Sequence, residues 1–150
     1  MLGAPVPADL VSLDWFVKPV HWAEITGTVF TGENLAKVGA SPFTQGFALQ
    51  PISPGVFRPV PVARRGGWAQ ITVLPTPRLT INVHAGVDRS DNDSLLPTSL
   101  TQNTAFIFNT FYRLAPNVLW GVEIGRISTD FKNGQRPSYI HHDIHVAYLF

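Results

Sequence analysis

Cysteine is absent from the 150 residues, which removes disulfide frameworks, thiol nucleophiles and cysteine-ligated metals together. Charge is scarce as well: Asp, Glu, Lys and Arg make up 14% of the chain, against about a quarter in ordinary soluble domains. The formal net charge is +1, so there is no electrostatic basis for a nucleic-acid partner. No stretch approaches the roughly 18 uninterrupted apolar residues of a membrane helix. The opening "MLGAPVPADLVSLDW" has neither the basic region nor the continuous apolar segment of a secretory signal. An export address, if one is used, lies outside this sequence.

Helical periodicity is nearly missing too. What the sequence has instead is alternation, over segments of about 8–13 residues separated by turn-rich stretches, which is the pattern of an all-β chain. The length suits a single unit spanning 1–150. The segments come in pairs. "ADLVSLDWFV" is followed by "HWAEITGTVFTG", "GGWAQITV" by "LTINVHAGVD", and "NTAFIFNTFYR" by "VLWGVEIGRIST". Each joint is short and contains proline: Lys18-Pro19-Val20 in the first, then "LPTPR" and "LAPN". Proline outside the ladder is what an antiparallel hairpin tolerates. Between pairs the connections are long: about 33–65, then "DRSDNDSLLPTSLTQ", then "FKNGQRPS" with its Asn-Gly turn signal. The expectation is an antiparallel up-and-down meander of about seven strands, with short turns at one end and long loops at the other.

Splitting each segment by parity separates two faces. In "RLTINVHAGVD" the odd positions are Leu79, Ile81, Val83, Ala85 and Val87, and the even ones Thr80, Asn82, His84, Gly86 and Asp88. Val11, Leu13, Trp15 and Val17 oppose Ser12, Asp14, Phe16 and Lys18, and Val118, Trp120, Val122 and Ile124 oppose Gly121, Glu123 and Gly125. The segment 103–113 is ambiguous, with aromatics on both parities. A soluble sandwich alternates in the same way, and a soluble β-barrel or sandwich lined by Leu79, Ile81 and Val83 around a small apolar ligand is the alternative. Two details favour lipid on the apolar face. Aromatics fall near strand ends, with Trp15 and Trp22 about the first short turn, Tyr112 beside the third, and Tyr148 and Phe150 at the terminus, as in interfacial girdles. Ionisable groups of both signs sit at mid-strand on the other face, which a water-filled interior permits.

"GGWAQITVLPTPRLTINVHAGVD", "NTAFIFNTFYRLAPNVLWGVEIGRISTDF" and "TVFTGENL" resemble the C-terminal strands of Gram-negative outer-membrane porin-like proteins. The resemblance covers most of the chain, and its most specific part is the end: Ile144, Val146, Tyr148 and Phe150 alternate back from a C-terminal aromatic, with His142 departing from the form. It implies a partial transmembrane β-barrel in the outer membrane of a Gram-negative bacterium, passing small hydrophilic solutes by diffusion and not an enzyme. A non-conducting structural barrel is the other member of that class. Those four residues would be an assembly signal read by the barrel-assembly machinery. Outer-membrane lipid and lipopolysaccharide would be the surrounding partners, and a homo-oligomer is compatible with it. Single-chain bacterial barrels have an even number of strands from 8 upward, so about seven suggest the C-terminal portion of a larger barrel.

The pore-lining expectation comprises Asp14, Lys18, Glu24, Gln70, Arg78, Asn82, His84, Arg113, Glu123, His141, Asp143 and His145. No cofactor or metal is expected. His141, Asp143 and His145 share a parity, but alternate residues on a strand are roughly 7 Å apart, too far to meet one ion unaided. A lipase is disfavoured because no Gly-x-Ser-x-Gly elbow occurs. Arg64 and Arg65, at the end of the first long loop, could bind a lipid phosphate or an anionic solute. Arg126 has lipid-face parity and could snorkel to a lipopolysaccharide phosphate.

Overall fold

The computed structural model describes residues 6–35, 46–90 and 95–150, and in it every alternating segment becomes a strand. The strands are β1 (Asp9–Val20), β2 (Ala23–Glu33), β3 (Phe47–Ser53), β4 (Val56–Pro61), β5 (Ala63–Thr76), β6 (Leu79–Ser90), β7 (Leu100–Ala115), β8 (Val118–Phe131) and β9 (Ser138–Tyr148). Seven form one antiparallel sheet in the order β1-β2-β5-β6-β7-β8-β9, and β3 and β4 form a separate hairpin. The fold is thus all-β and meandering, with the expected seven-stranded sheet.

One correction concerns the stretch 33–65, expected to be a long loop. It carries the β3–β4 hairpin, turned at Gly55 with a φ of 76°, and β5 starts well before the tryptophan, at Ala63. Prolines at 51, 59 and 61 hid these strands from a reading by alternation, yet proline is tolerated where a strand has a free edge. The hairpin root carries the conventional core, a small one of Ala48, Val62 and Leu95 with Val60 against it. The connection before β7 is in turn tied to the β8–β9 turn, since Lys132 N donates to Ser99 O (3.0 Å) and Asn133 N to Pro97 O (2.9 Å). Residues 36–45 of the first long connection and 91–94 of the second lie outside the described residues.

Register makes the two parities into two continuous faces. Val17, Ile25, Ile71, Val83, Phe108, Ile124 and His142 follow one another across all seven strands, and so do Phe16, Thr26, Gln70, His84, Ile107, Gly125 and His141 on the opposite face. The ambiguity of β7 is resolved by its neighbours: Phe106, Phe108 and Tyr112 join the apolar face, and Asn109 and Arg113 the polar one.

The sheet is also sheared. The row through Ala23, Val73, Ile81, Thr110, Val122 and Ile144 lies one residue beyond Trp22 at the first short turn, three beyond Arg78 at the second and five beyond Asn117 at the third. Each turn is two strands further on, so the shift is one residue per strand. With a rise of about 3.4 Å per residue and about 4.8 Å between strands, that is a tilt of roughly 35°.

Large apolar side chains do not collect in a core; they stay on the apolar face. Ile144 is 71% exposed and Val146 74%, and Val11, Leu13, Val17, Ile71, Phe106 and Ile124 are exposed too. Among the described residues no second layer covers this face, so the sandwich alternative has no partner sheet. In water each such side chain would forgo about 1.5–3 kcal/mol of burial. The apolar run continues to Val87 on β6 and Ile124 on β8 before Arg89 and Arg126 end it. Corrected for tilt, the band is roughly 20–25 Å tall above the short turns.

One expectation about aromatics is adjusted. Trp22 does sit in the first short turn, but Trp15 lies further up the sheet, opposite Gly27, where its ring occupies the space a β-carbon would fill. The bare glycine backbone is what lets an indole lie flat there. At the other end Phe150 falls just past β9, fully exposed, its ring 6.1 Å from that of Tyr148. Leu149 N still donates to Asn117 O (2.8 Å), holding the terminus to the third short turn.

Candidate functional site

Polar side chains on the non-apolar face are joined from strand to strand. Thr72, Asn82, Asn109 and Glu123 occupy one row, with Glu24 before them and Asp143 after. Gln70 Nε2 donates to Thr72 Oγ1 (3.0 Å) and Asn82 Oδ1 (3.3 Å), and Thr72 Oγ1 donates to Asn82 Oδ1 (2.7 Å). Asn82 Nδ2 donates to Asn109 Oδ1 (2.6 Å), and Asn109 Nδ2 to Glu123 Oε2 (3.0 Å). His141 Nε2 then stands 3.3 Å from Glu123 Oε1. The ladder spans β5 to β9.

Its direction follows from its end. An ionised carboxylate can only accept, so Asn109 must present its amino group to Glu123 and its carbonyl to Asn82. The same choice passes back to Gln70. Links onto a charged acceptor are about twice as strong as neutral ones, and the chain polarises in one sense. The result is a row of oriented amides fixed by one glutamate.

Of the twelve residues expected to share this face, Gln70, Asn82, Glu123 and His141 join the ladder. Lys18 and Glu24 form a separate ion pair (2.7 Å) near the first short turn. Asp14 and Asp143 are on the same face and exposed, and Asp143 Oδ1 accepts from the backbone N of Ile144 (2.8 Å). His84 stacks on Trp68 (5.3 Å) and His145 lies against Phe111 (5.6 Å). Arg113 Nη1 donates to Pro116 O (2.9 Å) beside the third short turn. Arg78 is displaced from the wall: it sits in the second short turn, and its carbonyl accepts from Arg113 N (2.8 Å). Among the described residues no three His, Asp or Glu side chains gather as metal ligands do.

The pore-lining expectation omitted Thr72 and Asn109, although Thr72 shares the parity of Gln70. Thr72 carries no charge to attract notice, and Asn109 sits on the strand whose faces the sequence left undecided.

The two arginines expected at a loop end are instead in β5, on opposite faces. Arg64 is 1% exposed and its Nε donates to Asp88 Oδ1 (2.9 Å), so it is not available to a lipid or solute as the sequence suggested. The cause is the length of β2 and β6, which carry pairing up to Glu33 and Ser90 and enclose the arginine. Arg65 is on the apolar face, exposed, directly opposite Arg89. Arg126 is on that face too, with Nη2 3.4 Å from Ser138 Oγ.

No protein-family model matches the chain, and neither does any curated protein. Among solved structures its fold is similar to that of the outer membrane channel DcaP of Acinetobacter baumannii, with a TM-score of 0.72 and 14% identity. The match covers 95% of this chain and 41% of that one, so the chain spans less than half the length of the channel it resembles. At that identity the likeness is one of fold: an antiparallel seven-stranded meander of this kind recurs within that larger structure.

Proposed function

We propose that these strands are part of the wall of an outer-membrane channel through which small hydrophilic solutes diffuse passively. One observation carries this: the same seven strands present an uncovered apolar band of membrane height on one face and a hydrogen-bonded polar ladder on the other. In a bilayer the first lies in hydrocarbon and the second in water, and neither needs a further layer. The likeness to a channel fold supports the same placement. Transport then requires no covalent step, cofactor or metal; width and the mixed charges of Asp14, Lys18, Glu24, Glu123 and Asp143 set selectivity. β1 and β9 each have one unpaired edge in the sheet. Open edges in hydrocarbon cost several kcal/mol per unsatisfied group, so the seven strands act as one arc of a larger barrel.

The natural protein, purified in detergent and added to planar bilayers, is expected to give stepwise conductance. Glu123→Gln should lower the cation-to-anion permeability ratio by about two- to fivefold. The upper figure corresponds to ~1 kcal/mol for a unit charge at 4 Å in water, and the lower allows for salt screening. Extraction into buffer without detergent would sink the membrane placement, and insertion without conductance would point to a structural barrel.

The terminal residues Ile144, Val146, Tyr148 and Phe150 are proposed as the segment read by the barrel-assembly machinery. Phe150 is fully exposed apart from its ring contact with Tyr148 among the described residues, so Phe150→Ala should leave spontaneous folding into micelles unchanged. Assembly in cells should fall severalfold, read as the folded fraction on heat-modifiable gels. Equal loss in both assays would make Phe150 a stability residue instead.

A further inference from the structure

The polar face carries aromatic rings as well as amides. Phe30, Trp68 and His84 stand on β2, β5 and β6 as successive diagonal neighbours, since Phe30 is opposite Gly66 and Trp68 opposite Gly86. Such neighbours lie about 7–8 Å apart, within reach of aromatic side chains. Two glycines leave the wall bare along that diagonal. The Phe30 ring takes the space a β-carbon on Gly66 would fill, and Trp68 and His84 border the same space at Gly86. The Trp68 and His84 rings are stacked, with centroids 5.3 Å apart and planes 19° from parallel. Trp68 nevertheless remains 37% exposed. The next diagonal step, from His84 past Ile107, arrives at Asn109 in the ladder. An oblique strip of rings thus starts near the upper end of β2 and ends on oriented amides.

An open indole on a water-filled bore forgoes burial until a solute covers it, and the groups around the strip define that solute. Gln70, two residues along β5 from Trp68, directs its Nε2 to Thr72 and Asn82, so its carbonyl is open to a donor. Glu123 has one neighbour on each oxygen, Asn109 and His141, out of about four acceptor sites. Asp14 stands exposed in the row of Trp68, two strands away. The strand-borne cations of this face are committed elsewhere: Lys18 to Glu24, Arg64 to Asp88 and Arg113 to Pro116 O. We propose that the strip is a stacking subsite for a neutral sugar passing along the wall. A pyranose offers flat C–H faces to the rings and a rim of hydroxyls that donate to Gln70, Glu123 and Asp14. An aromatic anion would suit the rings but would meet carboxylates and no open cation. The subsite rests on the channel reading above and names a solute class for it.

The test uses the natural protein in planar bilayers, where a bound solute interrupts the single-channel current. Cellotriose at millimolar concentration is expected to block for longer than sorbitol, an open-chain polyol without a ring face, on the order of tenfold. Trp68→Ala should shorten the cellotriose dwell time by roughly three- to tenfold, and Trp68→Phe should restore most of it. Trp120→Leu, which removes an indole from the apolar face, should leave the dwell time unchanged. Equal dwell times for cellotriose and sorbitol would overturn the proposal, as would a conducting Trp68→Ala channel that blocks as the unmodified one does. Longer block by tetraethylammonium than by cellotriose, lost in Trp68→Ala, would make the strip a site for organic cations instead. Saturation-transfer NMR of the protein in micelles, with aromatic protons irradiated, should label the C–H protons of cellotriose and reads the subsite without any current. Conductance with neither block nor transfer defeats only this subsite, whereas transfer without conductance supports the subsite and defeats the channel reading.

Discussion

Arginine at position 83 is expected to cost the folded barrel about 2–4 kcal/mol, the penalty for a cation on the lipid face near the bilayer midplane. Arginine at the adjacent His84 is expected to cost less than about 1 kcal/mol. Val83 lies on the apolar row between Ile71 and Phe108 and five residues above the second short turn, about 14 Å up a band of roughly 20–25 Å. A guanidinium there reaches neither interface without distorting the strand. His84 is one residue away and on the opposite face, where its ring stacks on Trp68 and the new charge would meet water. The loss is confined to that stacking, about 0.5–1.5 kcal/mol for an aromatic pair at most, offset in part by a cation–π contact. Denaturant unfolding in lipid vesicles measures both. Equal costs at the two positions, or the larger cost at 84, would reverse the assignment of faces and return the soluble alternative.

Asp88→Leu should be more damaging still, by about 3–5 kcal/mol, because it strands a buried guanidinium. Arg64 is among the largest fully buried side chains described, and Asp88 is its partner (2.9 Å). Arg64 Nη1, Nη2 and Asp88 Oδ2 have no partner of their own among the described residues, so the pair is imperfectly satisfied even when intact. That predicts an unusual recovery. Arg64→Met/Asp88→Leu, which removes both charges at similar volume, should restore most of the lost stability and can equal the original. Unfolding free energies of the two single variants and the double variant form the cycle. A double variant as unstable as Asp88→Leu alone would show that the pair holds the hairpin end together by more than charge balance.

Most of the sheet was legible because one face of each strand is apolar over most of its length, and a period of two survives any loop chemistry. Leu79 to Val87 is the clearest case. On β7 the signal failed because Phe111 turns toward the polar face, where its ring covers Gly121 and meets His145; only register could say which parity was which. The hairpin from Phe47 to Pro61 was illegible for a different reason: three prolines within its two strands suppressed the strand pattern. The site divides in the same way. Glu123 and His141 stand out as ionisable groups among apolar alternation, but their connection through Asn109 and Asn82 to Gln70 depends on which residues the strands place abreast. Arg64 looked like a loop cation until the pairing of β5 with β6 extended past it.

The shear of one residue per strand fixes how much perimeter these strands supply. Seven strands about 4.8 Å apart and tilted roughly 35° cover about 41 Å of circumference. Rolled up alone they would make a cylinder about 6.5 Å in radius at the backbone, slightly narrower than an eight-stranded barrel, whose interior side chains fill. A ladder of Gln70, Asn82, Asn109 and Glu123 would then be packed solid against Asp14 and Lys18 from across the bore. For water to stand between them the perimeter has to grow about twofold, toward the 16 strands or so of an aqueous channel. On the proposed channel reading, the width of the pore is therefore set by how many strands stand beside β1 and β9, while the character of this arc of the wall is set by the residues already in it.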